Sequence, residues 1–175
     1  MNTEIEAKLK VRSLVAVEKK LSQVGAVFLE NQDQQDIYFD DKKNRLKNSD
    51  SCLRLRTQKT GNTKTIFVTC KGPKQKDNFK KRREIDLQVD DFACARQIFS
   101  FLGFSQRLVV GKKRRLWKLD DCLVALDSVK GLGFFVEIEG PNDRGISRVQ
   151  KKIGLAALKH IPKSYACLVE KNLKS

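Results

Sequence analysis

At 175 residues the chain is long enough to bury the core of one ordinary domain, and 40% hydrophobic with 33% charged residues excludes a disordered chain. Lys and Arg number 36 against 21 Asp and Glu, a formal charge of +15 that favours anionic partners: nucleic acid, an anionic membrane or a phosphate-rich small molecule. No apolar run approaches the roughly 18 residues of a membrane span, and five cysteines without CxxC spacing or a nearby histidine argue against zinc and disulfide frameworks.

Reduced thiols in a cytoplasmic protein are the plain expectation, and the opening Met1-Asn2-Thr3-Glu4-Ile5-Glu6 has neither the basic nor the apolar region of a leader. Residues 4–11 alternate polar and apolar, the period of a strand. From Ser13 to Gly25 the pattern changes to a helix: Leu14, Val17, Leu21 and Val24 share a face, Ser13 suits the N-cap, and Gly25 suits the residue past the C-cap. A strand-like run over 26–39 leads into a polar connection through Lys42 to Asp50. Hairpins follow: Leu53-Arg54-Leu55-Arg56 alternates, Gly61-Asn62 turns the chain, and Thr65 to Lys71 returns before Gly72-Pro73 ends the strand. After a lysine-rich loop, residues 81–89 alternate again. Asp90 or Asp91 then caps a second helix with Phe92, Ala95, Ile98, Phe99 and Leu102 inward, stopped by Gly103. Strands are expected over 104–119, 122–129 and 134–139, joined at Asp120-Asp121 and at Gly131-Leu132-Gly133. The tail beyond Pro141 reads as helix broken by Pro162. One α+β domain over residues 1–175, with a helical tail over about 142–175, is the expected organisation.

The informative feature is which residues share a strand face, because positions i, i+2 and i+4 point the same way. Glu4, Glu6 and Lys8 stand opposite Ile5, Ala7 and Leu9. Arg54 and Arg56 stand opposite Leu53 and Leu55. Arg82, Glu84 and Asp86 stand opposite Ile85 and Leu87, and Glu137 and Glu139 opposite Val136 and Ile138. A single such strand is an ordinary solvated face. Here, however, three helical regions carry apolar stripes that could cover the apolar outside of a curled sheet and turn the charged faces inward. Lys8, Arg54, Arg56, Lys71, Arg82, Lys112 and Arg114 would then face Glu4, Glu6, Glu84, Asp86, Asp127, Glu137 and Glu139. An anion cleft has no need of the carboxylates, nor a metal site of the arginines. Together they suit a metal–polyphosphate complex, with carboxylates holding Mg2+ or Mn2+ and guanidinium and ammonium groups holding phosphate oxygens.

These residues resemble the CYTH-domain proteins, the triphosphate tunnel metalloenzymes. Glu4-Ile5-Glu6-Ala7-Lys8 is similar to their opening ExExK signature. In order there follow Gln35 to Asp40, the paired arginines Arg54 and Arg56, Thr69-Cys70-Lys71-Gly72-Pro73, Arg82-Arg83-Glu84-Ile85-Asp86, Lys112 to Trp117, Asp127, and the hairpin Gly131 to Glu139. Asp86 is a shortened variant of the family's glutamate. The resemblance implies an eight-stranded antiparallel β-barrel, open as a tunnel, with helices packed outside. It implies metal-ligand roles for Glu4, Glu6, Glu84, Asp127, Glu137 and Glu139. It implies substrate-binding roles for Lys8, Arg54, Arg56, Lys71, Arg82, Lys112 and Arg114, with Glu4, Glu6, Lys8, Arg114 and Glu137 at the reacting centre. Lys113 and Arg115 have the opposite parity and are expected to face solvent or a partner. Ser164-Tyr165 resembles a tail motif of the family, and the tail could close one end of the tunnel.

Within the family the chain looks most like class IV adenylyl cyclases, which implies ATP as substrate, Mg2+ or Mn2+ as cofactor, and a homodimer. Hydrolysis of thiamine triphosphate or inorganic tripolyphosphate is the alternative, since the tunnel motifs report the triphosphate rather than what it carries. A nucleic-acid surface around Lys74, Lys76, Lys80, Lys81 and Lys112–Arg115 is the lesser expectation: with 7% aromatic residues there is no evident stacking platform. His160, the only histidine, is expected to pack or face solvent. Removing Arg56 is expected to cost triphosphate binding with little loss of stability, because like charges already strain such an interior.

Overall fold

The structure is a computed structural model that describes residues 2–75 and 79–173; Lys76 lies outside the described residues. The alternating segments become β1 (Asn2–Val11), β2 (Val27–Asp40), β3 (Cys52–Thr60), β4 (Thr63–Lys71), β5 (Lys80–Val89), β6 (Ser105–Leu119), β7 (Cys122–Val129) and β8 (Gly133–Glu139). They close into an antiparallel barrel in the order β1-β5-β4-β3-β2-β6-β7-β8, with β8 paired back onto β1. The hairpin β3–β4 turns at Gly61 (φ 58°) and β6–β7 at Asp120 (φ 52°), where the left-handed conformation favours Gly and tolerates Asp.

Three helices cover the outside. α1 (Leu14–Gln23) is capped by Ser13, whose hydroxyl accepts from the Ala16 amide, and buries Leu14, Val17 and Leu21. A later helix over 143–152 is capped by Asn142 and buries Ile146 and Val149. Together these two seal Ala7, Leu9, Val124, Leu126, Val136 and Ile138 from water. Between them in sequence lies the helix over 92–101, capped by Asp91, whose Ala95 and Phe99 pack on Ile37, Phe39, Leu53, Leu55 and Ile66. With the apolar strand faces covered, the charged faces turn into the barrel.

The 92–101 helix departs from expectation on one side. Ile98 and Leu102 do not face inward: they are 57% and 65% exposed, beside Phe101 at 94%. The sheet meets only the 92/95/99 stripe, so the neighbouring stripe stays in solvent, as do Ile85 and Leu87 on the outer face of β5.

Two short elements flank the barrel's mouth. In chain order the helices are α1, α2 (Arg45–Asn48), α3 (Phe92–Phe101), α4 (Asp143–Lys152) and α5 (Tyr165–Asn172). α2 interrupts what reads in the sequence as a plain polar connection. The tail does not continue as helix after α4. Residues 153–164 run irregularly past Pro162, and the Ile161 amide donates to the Lys8 carbonyl at 2.8 Å, beyond the Glu6–Lys80 rung of the β1–β5 ladder. α5 then packs Tyr165, Leu168 and Val169 against Val110, Val129 and Phe135 of the inner wall. The helices lie outside as expected for α1, α3 and α4, whereas α5 closes an end. Among the described residues no helix is long and apolar enough to cross a membrane.

Candidate functional site

Strand register sets the inner face. Across neighbouring strands Lys8 stands opposite Glu137, Arg114 opposite Asp127, Arg56 opposite Asp36, Lys71 opposite Glu84, and Glu4 opposite Arg82. Directly opposed side chains of opposite sign attract, and most of these pairs close into ion pairs. Lys8 Nζ lies 3.0 Å from Glu137, Lys71 Nζ lies 2.6 Å from Glu84 and 2.7 Å from Glu4, and Lys80 bonds Glu6. Arg56 grips Asp36 with two parallel bonds of 2.6 and 2.8 Å, and Arg114 grips Asp127 with bonds of 2.7 and 2.6 Å while also bonding Glu137. One opposed pair breaks the rule: Glu6 faces Glu139 across β1 and β8.

The electrostatics follow from burial and these partners. Burial works to neutralise Glu137, but Lys8 and Arg114 outweigh it and hold its carboxyl well below the usual range. Burial likewise opposes the Lys8 ammonium, yet Glu137 and Glu6 raise its pKa. Asp36 is buried, and Arg54 and Arg56 keep it ionised below the ordinary carboxylate range. Two groups go the other way. Lys112 is pushed down to about 7 by burial and by Arg114 and Arg56. Glu139, reachable from solvent at the rim, is pushed up to about 7 by partial burial and by Glu4, Glu6 and Glu84.

A cavity of about 470 Å3 collects Glu4, Glu6, Lys8, Arg54, Arg56, Lys71, Arg82, Glu84, Lys112, Arg114, Glu137 and Glu139 on one lining, with Asp86 among them. Two of the residues singled out in the sequence stand on the expected face but are held by partners that the strand pattern does not name. Asp127 is fully buried behind that lining, and its oxygens are occupied by Arg114 and by the Tyr165 hydroxyl at 2.8 Å. It braces the arginine and does not line the cavity. Arg82 lines the cavity but donates to the carbonyls of Gly72 and Asp50 at 2.6–3.1 Å, which makes it a brace between two loops. Lys113 and Arg115 face outward as parity demands, Arg115 pairing with Glu18 of α1. His160 bonds Gln150 at 2.9 Å and packs on Phe79, away from the cavity.

Three inner residues carry no assignment from the sequence. Asp36 holds Arg54 and Arg56, but residues 30–36 are polar at both parities, so no face is legible there. Thr69 accepts from Arg54 at 2.9 Å and donates to Asp86. Tyr165 arrives from the far end of the chain, and its ring lies 4.3 Å from the Lys8 ammonium and 5.0 Å from that of Lys112. For Tyr165 the signal available was the Ser164-Tyr165 tail motif.

The CYTH domain family matches residues 2–165, the whole barrel and the tail as far as the first residue of α5. The chain belongs to the CYTH family. A candidate adenylate cyclase of Methanocaldococcus jannaschii is 36% identical over 149 residues, covering 85% of this chain and 81% of that protein. Among solved structures, the PH1819 protein of Pyrococcus horikoshii superposes with a TM-score of 0.84 at 26% identity, over 96% of this chain and 99% of that one. A Hippeastrum protein, described as a candidate adenylyl cyclase with a dominant triphosphatase activity, shares the fold with a TM-score of 0.76 at 16% identity, over 97% and 96% of the two chains.

Within this CYTH barrel the grip of Arg56 on buried Asp36 argues that removing Arg56 costs more stability than the sequence reading expects. Arg56→Ala leaves Asp36 with Arg54 at 3.6 Å, which is expected to cost on the order of 3 kcal/mol at neutral pH. The loss has a defined pH sign. A carboxyl whose folded pKa is depressed stabilises above its unfolded value of about 4 and loses that contribution as pH falls through the folded pKa. Guanidinium unfolding midpoints of the two proteins should therefore differ at pH 7 and keep most of that gap at pH 3, where the depressed pKa leaves Asp36 ionised in the folded protein. Equal midpoints at pH 7 would contradict the role given to Asp36.

Proposed function

We propose that the chain is a metal-dependent adenylyl cyclase, which converts ATP to 3′,5′-cyclic AMP and pyrophosphate inside the barrel. The observation that carries this reading is the mixed-sign inner lining with one unbalanced acidic corner, where Glu6 faces Glu139 beside Glu4 and Glu84. Among the described residues no three His, Cys, Asp or Glu side chains form a ready metal cage; Glu4, Glu84, Glu6 and Glu137 are each drawn to an internal cation. The donor set nevertheless fits a hard divalent ion. It is all oxygen, and the raised Glu139 carboxyl marks a surplus of negative charge that a cation relieves. Glu4, Glu6, Glu84, Glu137 and Glu139 are the residues that would hold Mg2+ or Mn2+. When bound, the ion polarises phosphate oxygens and lowers the pKa of a coordinated hydroxyl.

The chain's own cations would do the rest. Arg54, Arg56, Lys71, Lys8 and Arg114 line the cavity, each braced by a carboxylate or hydroxyl, and Lys112 lies over the Tyr165 ring. A triphosphate would meet preformed donors, with little reorganisation left for the reaction. In cyclisation the ribose 3′ hydroxyl gives up its proton to solvent and its oxygen bonds to the α-phosphorus, while the bond from that phosphorus to the α,β-bridging oxygen breaks. The arginines and lysines then neutralise the charge gathering on the departing pyrophosphate. The same cradle supports a second reading, hydrolysis of thiamine triphosphate or tripolyphosphate, and the dominant triphosphatase activity of the Hippeastrum protein is chemistry on the same fold. The nucleic-acid reading loses support because the lysine loop is dispersed: Lys80 turns into the barrel onto Glu6, Lys81 reaches Asp143, and Lys74 bonds Asp50.

We also read the chain as a homodimer through α3. Phe101 stands exposed next in sequence to Leu102, which with Leu53, Val68, Ile85, Phe99 and Phe104 lines an apolar groove of about 510 Å3. An exposed ring and a groove at the end of one helix suit a two-fold interface in which each copy fills the other.

Three measurements check these readings. With Mg2+ or Mn2+ and ATP, cyclic AMP and pyrophosphate are expected in equal amounts, and Glu137→Gln should lower turnover by at least about 100-fold. Orthophosphate from tripolyphosphate or thiamine triphosphate, without cyclic product, would favour the second reading; full activity of the variant would remove Glu137 from the site. Because Lys112 is held near 7, a bound polyanion should recharge it. Tripolyphosphate binding at pH 8 should take up protons, seen by calorimetry in two buffers of different ionisation enthalpy, and should weaken as pH rises. Binding without proton uptake would contradict that. Phe101→Glu should convert the dimer to monomer in sedimentation velocity with its melting temperature unchanged, and a wild-type protein already monomeric would end the dimer reading.

A further inference from the structure

The charged cavity inside the barrel and the apolar groove beside α3 share a wall. Leu46, Ser51, Cys52, Leu53 and Lys71 line both. On the inner side the wall continues into Arg54, and on the outer side it meets Phe99 of α3 and Leu102 at the helix end. An occupant of the groove therefore packs on the same residues that bound the cavity.

Half of this wall is irregular chain. Residues 41–51, between β2 and β3, run without a strand ladder, and α2 within them is four residues long. Two left-handed residues other than glycine flank it, Asn44 at φ 55° and Asp50 at φ 52°. Side chains tie the segment to the strands. The Asp40 carboxylate accepts from the Leu46 and Lys47 amides at 3.1 and 2.9 Å, and Arg82 donates to the carbonyls of Asp50 and of Gly72, the residue after Lys71. The Ser51 amide donates to the Leu46 carbonyl at 2.7 Å, and Leu46 packs on the cluster of Leu53 and Phe99. A segment tied in this way yields more readily to what packs on it than a laddered strand does.

The groove lies within a larger uncovered face. Ile85 and Leu87 of β5 and Ile98, Phe101 and Leu102 at the end of α3 are between 53% and 94% exposed. At about 200 Å2 for a large side chain, these five leave roughly 600 Å2 open per copy, close to the roughly 800 Å2 that each partner of a standard interface buries. A second copy covers that area with the same surface, its Phe101 ring entering the groove.

We propose that filling the groove sets the shared wall, so that dimerisation and triphosphate binding are coupled and each strengthens the other. The inference rests on the triphosphate reading of the barrel and on the homodimer reading of α3. A ring seated on Leu46 and Leu53 holds residues 46–53 in the arrangement that presents Arg54 and Lys71 to a phosphate chain. A phosphate chain gripped by those two cations holds the groove ready for the ring in return. Linkage makes the two effects equal for each site.

The test measures both directions with the Mg2+ complex of imidotriphosphate. By calorimetry, monomeric Phe101→Glu should bind it about fivefold more weakly than the wild-type dimer. Phe101→Lys, of opposite charge, should show the same loss, because the cause is assembly and not the field of the new side chain. In sedimentation equilibrium, saturating imidotriphosphate should tighten the wild-type dimer by the square of that factor, about 25-fold, since two sites fill per dimer. Leu46→Ala, which trims the shared wall, should bind imidotriphosphate no better than the monomer at concentrations where it is dimeric. A monomer that binds as tightly as the dimer, or a dimer constant unmoved by imidotriphosphate, would overturn the coupling and leave the barrel and dimer readings standing. Undiminished coupling in Leu46→Ala would overturn the shared wall as its route. Wild-type protein that stays monomeric with and without imidotriphosphate would overturn the dimer reading, and no binding by any of these proteins would overturn the barrel reading; the coupling falls with either.

Discussion

Everything in this structure depends on the antiparallel register that opposes inward charges of opposite sign. A charged group taken from water costs several kcal/mol unless it is paired and hydrogen-bonded, and this barrel takes more than a dozen such groups inward. Closure makes that tolerable. Lys8 meets Glu137, Arg114 meets Asp127, Arg56 meets Asp36 and Lys71 meets Glu84 because β1, β8, β7, β6, β2, β3, β4 and β5 are locked in one register. A slip of one residue on any strand would turn its charges onto the apolar layer and its leucines and valines into the cavity. The outer layer formed by α1, α3 and α4 is what makes such a slip costly.

The same network explains why the inside is a binding surface and not merely a neutralised core. Lys8, Arg54, Arg56, Lys71 and Arg114 are each held by a carboxylate or hydroxyl in a defined orientation, yet they still line a cavity wide enough for a ligand. Lys112 and Glu139 are the two groups whose surroundings oppose their charge, one short of negative partners and the other short of positive ones. The metal–polyphosphate complex we propose would supply what each lacks. Tyr165 ties this interior to the tail, so the element that closes the barrel also sets the Asp127–Arg114 pair.

Much of this was legible in the sequence because it is periodic. Alternation in 4–11, 53–56 and 81–89 assigned faces, and the apolar helical stripes dictated which face turned in. The strand ends and both glycine-linked hairpins lie within a residue or two of where alternation and turn chemistry put them. What escaped was non-local or non-periodic. In β2, polar residues at both parities hid Asp36. α2 is held by the carboxylates of Asp40 and Asp41 rather than by propensity. Asp127 and Arg82 carry the right charge on the right face, yet partners from the tail and from the 50–52 and 72–74 loops hold them, and no strand pattern names those partners. On α3 the apolar residues exceed what one sheet can cover, so Ile98 and Leu102 stay outside.

The central claim is that a metal–triphosphate complex occupies this lining. Crystals grown with Mn2+ and α,β-methylene-ATP, measured near the manganese absorption edge, test it most directly. The account expects an anomalous peak at the acidic corner of Glu4, Glu6 and Glu139, with the phosphate chain running from it between Arg54–Arg56 and Lys112–Arg114. A well-occupied nucleotide bound on the outer surface, with the Lys8, Lys71 and Arg114 ion pairs undisturbed inside, would contradict it.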